Sequence, residues 1–236
     1  MLDLHTHILP GIDDGSRDID MSLKMLDACK NQGTRDIVFT PHFYASRTSM
    51  TAFLEKREKA WQTVKDAYDF AAAGMRPHLG AEVHFFRGIE RSEEIRKLQI
   101  GETGCILLEL PFEERWPDNL LSAVEDLRRN LKCTVIIAHA ERYVHKRNGY
   151  EELFDALLDT GAYIQTNAGF FLHHGTRKTA LKLLESGKIQ FLGSDAHDLR
   201  DRRPNLKEAT ELIQKKCGGE FLKEFYRKGY TILNNK

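Results

Sequence analysis

The chain has 236 residues, 41% of them hydrophobic and 30% charged, so it can bury a substantial core and is not a disordered polyampholyte. Lys+Arg and Asp+Glu are equal at 35 each, giving a formal net charge of +0, which argues against a nucleic acid backbone or an anionic membrane surface as its main partner. No apolar run approaches the ~18 residues of a membrane-spanning helix, and the opening Met-Leu-Asp-Leu-His-Thr-His has neither the basic nor the apolar region of a signal peptide. A cytoplasmic protein without membrane insertion is expected, built as one domain over residues 1–236.

Short β-branched or apolar runs alternate with longer amphipathic segments. The predicted strands are Leu2–His5, Asp36–Thr40, His78–Val83, Cys105–Leu110, Cys133–Ala138, Ala162–Thr166 and Ile189–Gly193. Helical patterns separate them at Asp18–Gln32, Thr51–Ala73, Ser92–Leu98, Asn119–Asn130, Tyr150–Asp159, Thr176–Ser186 and Leu206–Lys216. Gly33, Gly74, Gly161 and Gly187 stand where helices would stop. Continuous apolar runs such as Thr134-Val-Ile-Ile-Ala138 indicate parallel strands covered on both faces. Seven such units predict an α/β fold, a distorted TIM-like (β/α)7 parallel barrel. A doubly wound open sheet has the same periodicity.

The four cysteines, Cys29, Cys105, Cys133 and Cys217, are widely spaced and suit reduced thiols. Cys29 and Arg35 have the spacing of a cysteine-phosphatase loop. That loop must run from strand to helix, whereas Cys29 lies late in a helix closed by Gly33, so a buried thiol is expected.

The chemistry collects where the predicted strands stop. The first ends in His5-Thr-His7 and the second in Thr40-Pro-His42; the third carries Glu82 and the fourth Glu109. The fifth ends in His139-Ala-Glu-Arg142, the sixth in Asn167 and the seventh in Ser194-Asp-Ala-His197. In parallel α/β barrels these ends open onto the face that carries the site. His-x-His and Asp-x-His project both side chains to one side of a strand, and His with carboxylate is a ligand set for divalent transition metals. Glu82 and Glu109 lie in otherwise apolar strands, where an unpaired carboxylate is costly to bury. Asp13-Asp14-Gly15 reads as a turn or as a further ligand source, and Arg142, Arg202 and Arg203 as phosphate clamps or surface residues. His84 is placed at the surface or behind the ligands. Phe43, Tyr44, Phe85, Phe86, Phe112, Trp116, Phe170 and Phe171 pack the rim or form a wall for an aryl ring.

Asp3-Leu-His-Thr-His7 with Asp13-Asp14-Gly15, then Thr40-Pro-His42, Gly80-Ala-Glu82, His139-Ala-Glu-Arg-Tyr143 and Gly193-Ser-Asp-Ala-His197, resembles in order the PHP superfamily of polymerases and histidinol phosphatases. The sequence is most similar to one branch, the metal-dependent protein-tyrosine phosphatases encoded with bacterial capsular and exopolysaccharide genes. The resemblance implies three divalent cations, usually Mn²⁺, with Fe or Zn in relatives. It implies His5, His7, Glu82 and Asp195 as ligands of a first ion, Glu82, Glu109 and His139 of a second, and Asp14 (or Asp13), His42 and His197 of a third. Arg142 and Arg202 (or Arg203) match phosphate-contacting arginines, and a metal-bridging hydroxide is the implied nucleophile. The implied substrate is a phosphotyrosine protein, the tyrosine kinase of a polysaccharide-synthesis system. The alternatives are a PHP phosphoesterase acting on histidinol phosphate or a similar metabolite, an amidohydrolase, and a non-catalytic metal-binding regulator.

Overall fold

A computed structural model describes residues 1–113, 115–146 and 148–234. In chain order the strands and helices are β1 (Leu2–Thr6), α1 (Ile19–Asn31), β2 (Asp36–Phe39), β3 (His42–Phe43), α2 (Met50–Ala67), β4 (Arg76–Leu79), β5 (Glu82–His84) and β6 (Cys105–Glu109). They continue with α3 (Leu120–Leu131), β7 (Thr134–Ile137), α4 (Tyr150–Asp159), β8 (Tyr163–Asn167), α5 (Ala168–Leu172), α6 (Arg177–Glu185), β9 (Phe191–Gly193), α7 (Leu206–Cys217) and α8 (Gly219–Asn234). All strand pairings are parallel among the described residues. Six strands, in the order β3-β5-β6-β7-β8-β9, curl into a half-barrel, and β1-β2-β4 supply the rest. The ring closes where the ends of β1 and β9 meet: His7 N donates to Ala196 O at 2.9 Å and Asp195 N to His5 O at 2.8 Å.

The seven predicted strands are the seven staves of this barrel, but two of them are broken. Pro41, which lacks an N–H, separates β2 from β3. Gly80-Ala81 separates β4 from β5, so the predicted His78–Val83 strand is two strands in different sheets. A Cβ at Gly80 would stand 3.2 Å from the Ile100 Cγ1, so a side chain there would have to push Ile100 aside. The predicted Thr51–Ala73 helix ends at Ala67, and the Ser92–Leu98 segment forms 3₁₀ turns.

Alternation along the strands sorts side chains into two clusters. Ile106 and Leu108 of β6 face the helices with the larger cluster. Cys105 and Leu107 join Leu2, Leu4, Val38, Ile136 and Phe191 in a smaller cluster inside the ring, and Glu109 continues their parity into the mouth. Helix α8, which the sequence reading leaves out, packs Leu233, Tyr226 and Tyr230 onto this inner cluster. The Tyr230 hydroxyl donates to Asp36, which also takes Arg76 and His78, so the α8 contact is polar as well as apolar. No helix among the described residues is long and apolar enough to cross a membrane.

Candidate metal centre

The ends of the strands bring every predicted ligand residue to one mouth. His5 and His7 come from the end of β1, His42 from β3, Glu82 from β5, Glu109 from β6, His139 from the turn after β7, and Asp195 and His197 from the loop after β9. Three overlapping groups have donor atoms within 4.8 Å of one another: His7, Asp14, His42 and His197; His5, His7 and Asp195; and His42, Glu82 and Glu109. These differ in detail from the sets expected from the sequence. His7 joins the Asp14 group and His42 joins the Glu82–Glu109 group, while the His139 Nε2 stands 2.6 Å from Glu82 Oε1 and 3.6 Å from Glu109 Oε1.

Glu82 is the hub. Its Oε2 lies 2.9 Å from His42 Nδ1, 3.1 Å from His5 Nε2 and 3.2 Å from His7 Nε2, yet it is buried without a hydrogen-bond partner. The Nε2 atoms of His5 and His7 face each other at 3.0 Å. The opposite nitrogens of both rings are held by acceptors. His7 Nδ1 meets Asp13 Oδ2 at 2.7 Å, and His5 Nδ1 meets Gln165 Oε1 at 3.3 Å. Gln165 Oε1 also accepts from His139 N at 2.7 Å, which fixes the amide so that His5 Nδ1 is the donor. Lone pairs therefore converge, and a positive charge must stand among them, either a proton or a metal ion. The donor set of imidazole nitrogens and carboxylate oxygens, with no thiolate, fits divalent transition metals.

Without a metal, protons take that place. Burial works against a charged His7, but the Asp13 and Glu82 carboxylates outweigh it and lift its pKa to about 9. Burial likewise opposes a charged His42, and Asp14 and Glu82 raise it to about 11. Burial disfavours charge on Glu82 too, yet the imidazoles of His5, His139 and His42 hold it well below the usual carboxylate range. His197 goes the other way: burial, with the charge on His7, lowers it to about 4. Its Nε2 is buried without a hydrogen-bond partner and faces Asp14 at 3.4 Å.

Two ambiguities in the sequence are separated by geometry. Asp13 lies behind the centre, accepting from His7, Gly15 N and His42 N. Asp14 faces His42 and His197, both at 3.4 Å, from a side chain 64% exposed. The turn carrying them lies flat on His7, and a Cβ at Gly15 would come 2.1 Å from the His7 carbonyl oxygen. Arg202 Nη2 reaches Asp195 Oδ1 at 3.0 Å, whereas Arg203 points outward to Glu208 at 2.8 Å. Arg142 Nη2 contacts Asp195 Oδ2 at 2.5 Å. His139 and Asp195 adopt left-handed backbone conformations (φ 31° and 53°), a strain concentrated at the centre.

Sequence reasoning missed Gln165. It is fully buried, holds His5 and His139 through Oε1, and donates from Nε2 to Asn167 Oδ1 at 3.0 Å. Asn167 Nδ2 then donates to Asp195 Oδ2 at 2.9 Å. The signal was an amide in a strand buried on both faces. Of the eight aromatics, Phe43, Phe85, Phe170 and Phe171 are core residues. Tyr44 and Phe112 border the mouth; Phe112 is 43% exposed and stacks on His139 at 5.7 Å, and Tyr44 Oη lies 3.4 Å from His42 Nδ1. His84 donates from behind to Glu109 Oε2 at 2.9 Å. Cys29 is buried on α1 and burial pushes its thiol well above its usual pKa.

Residues 1–234 match the family described as "Capsular polysaccharide synthesis, CpsB/CapC". The tyrosine-protein phosphatase YwqE of Bacillus subtilis is 29% identical over all of this chain and 92% of its own length. The tyrosine-protein phosphatase CpsB of Streptococcus agalactiae is 27% identical over all of this chain and 99% of its own. Among solved structures, one from a study of YwqE from Bacillus subtilis and CpsB from Streptococcus pneumoniae, described as unique metal-dependent tyrosine phosphatases, superposes with a TM-score of 0.83 at 26% identity. It covers all of this chain and 96% of that one.

Proposed function

The chain belongs to the CpsB/CapC family of capsular polysaccharide synthesis, and on that premise we propose that it is a metal-dependent protein-tyrosine phosphatase, a phosphoric monoester hydrolase without a cysteine nucleophile. The observation that carries the reading is the crowding of three ring nitrogens around one oxygen of Glu82 that has no hydrogen-bond partner. His5, His7, Asp14, His42, Glu82, Glu109, His139, Asp195 and His197 would hold three divalent cations, with Mn²⁺ our choice of metal and Fe or Zn compatible. When bound, the cations activate water and neutralise charge on the phosphoryl group.

The protein's own residues do the rest. Asp13 and Gln165 fix which nitrogen of His7 and His5 faces the centre. Arg142 and Arg202, each 37% exposed, hold one donor on Asp195 and keep others for the equatorial phosphoryl oxygens. Phe112 and Tyr44 offer faces to an aryl ring at the mouth. A phenolate of pKa ~10 leaves without a strong general acid, which suits phosphotyrosine better than an alkyl phosphate. The physiological substrate in this reading is a phosphotyrosine protein, the kinase of the polysaccharide machinery. The four free thiols suit a cytoplasmic setting.

With Mn²⁺ supplied, the protein is expected to hydrolyse a phosphotyrosyl peptide at least about tenfold faster than histidinol phosphate or a phosphoseryl peptide. Equal rates on histidinol phosphate would replace this reading with the metabolite phosphoesterase. Cys29→Ser keeps its turnover, because the buried thiol takes no part in bond making; a collapse of activity in that variant would restore the cysteine mechanism. Gln165→Leu lowers metal affinity by about 10–100-fold, measured by calorimetric titration, because His5 loses the acceptor that sets its tautomer.

A further inference from the structure

A cavity opens from the centre on its Asp14–His42 side, where Asp13, Asp14 and His42 line it and the two carboxylates are engaged with the centre's imidazoles. It has a volume of about 460 Å³ and its floor is apolar, formed by Ile12 and Phe53. Two cations stand on its walls, Arg47 and Lys56, and neither has a carboxylate within ion-pair distance among the described residues. Both are held in place by other means. The Arg47 guanidinium lies over the Tyr44 ring, 4.4 Å from its centroid, and the Tyr44 hydroxyl in turn touches His42 and Glu109. Lys56 Nζ donates to the Ile12 carbonyl at 2.8 Å. Unlike Arg203, which pairs with Glu208, and Lys97, which pairs with Glu94, these two are anchored by a ring face and a backbone carbonyl that leave their positive charge uncompensated. Two fixed, unpaired cations over an apolar floor therefore make a receptor for a side chain with an apolar stem and an anionic head.

The geometry points to a specificity subsite: the Arg47–Lys56 cavity takes an acidic residue of the substrate next to the phosphotyrosine being hydrolysed. This rests on the phosphatase reading above. The anionic head has two sources with the same chemistry, the carboxylate of Glu or Asp and the phosphate of a second phosphotyrosine. Neither cation reaches Asp195 or Glu82, so the subsite adds binding without joining the reacting groups.

The test compares three phosphotyrosyl peptides that differ only beside the hydrolysed residue, carrying glutamates, a second phosphotyrosine, or alanines, together with para-nitrophenyl phosphate. For the wild-type protein the two acidic peptides should show KM values below that of the alanine peptide. Arg47→Ala and Lys56→Ala should each raise those KM values about fivefold with kcat unchanged. Both variants should act on the alanine peptide and on para-nitrophenyl phosphate as the wild type does, which also shows that they are folded. A benefit confined to the doubly phosphorylated peptide identifies the dianion as the ligand, and a benefit for both identifies acidic groups in general. Indifference of the wild type to the flanking residue overturns the subsite. Equal losses on para-nitrophenyl phosphate overturn it too, by assigning the two cations to the hydrolysed phosphate. Failure to hydrolyse any phosphotyrosine would instead refute the phosphatase reading.

Discussion

Glu82→Gln is expected to lower phosphotyrosine turnover by about 10³-fold, or ~4 kcal/mol of transition-state stabilisation, and to reduce the bound metal measured by plasma mass spectrometry. The substitution preserves shape and removes one charge from a side chain whose two oxygens lie within 3.2 Å of four imidazoles. An amide brings N–H donors into a cage that needs lone pairs, so it repels a cation as well as failing to neutralise it. Removing metal from the wild type with a chelator should produce a loss of the same order, reversed by adding Mn²⁺. A Glu82→Gln protein with full metal content and ordinary turnover would refute the centre as drawn.

Arg142→Ala should cost about 10²–10³-fold in kcat/KM while leaving the metal content near that of the wild type. Its guanidinium spends one donor on Asp195 Oδ2 and is 37% exposed at the mouth, which leaves donors for two phosphoryl oxygens. Arg142→Lys should recover little, because an ammonium cannot reproduce the planar fork. Arg202→Ala should behave alike but more mildly, since its Nη1 also leans toward Asp14 at 3.7 Å. Arg203→Ala is the control: paired outward with Glu208, it should change nothing. Loss of metal from the Arg142 variant would recast the residue as a support for Asp195 rather than a phosphate ligand.

The candidate centre was legible because the residues proposed as its ligands are polar residues at the ends of apolar runs, where a period of two and a common strand direction place them together. His5-Thr-His7 and Asp195-Ala-His197 are the plainest cases. What sequence could not settle was the choice between neighbours. Asp13 and Asp14 are chemically identical, and only the turn over His7 sends one behind the ring and the other toward His42 and His197. Gln165 escaped notice because its role lies in contacts with residues 160 and 26 positions away. The breaks at Pro41 and Gly80 leave each stave's apolar pattern intact, so periodicity reads straight through them. Helix α8 opens on Gly219 directly after Gly218, a glycine pair that reads as a stop signal and hid the spacing of Phe221, Phe225, Gly229 and Leu233 beyond it.

The closure between β1 and β9 brings the segments carrying His5 and His7 and carrying Asp195 and His197 together at the candidate centre. Ser194 N donates to Asp3 Oδ1 across 191 residues, and His5 and His7 wait at the start of the chain for Asp195 and His197. Joining segments so remote is a non-local contact, of the kind that slows folding. The mouth therefore exists only once β1 and the loop after β9 are joined, and a cation seated there would fasten these two segments against unzipping.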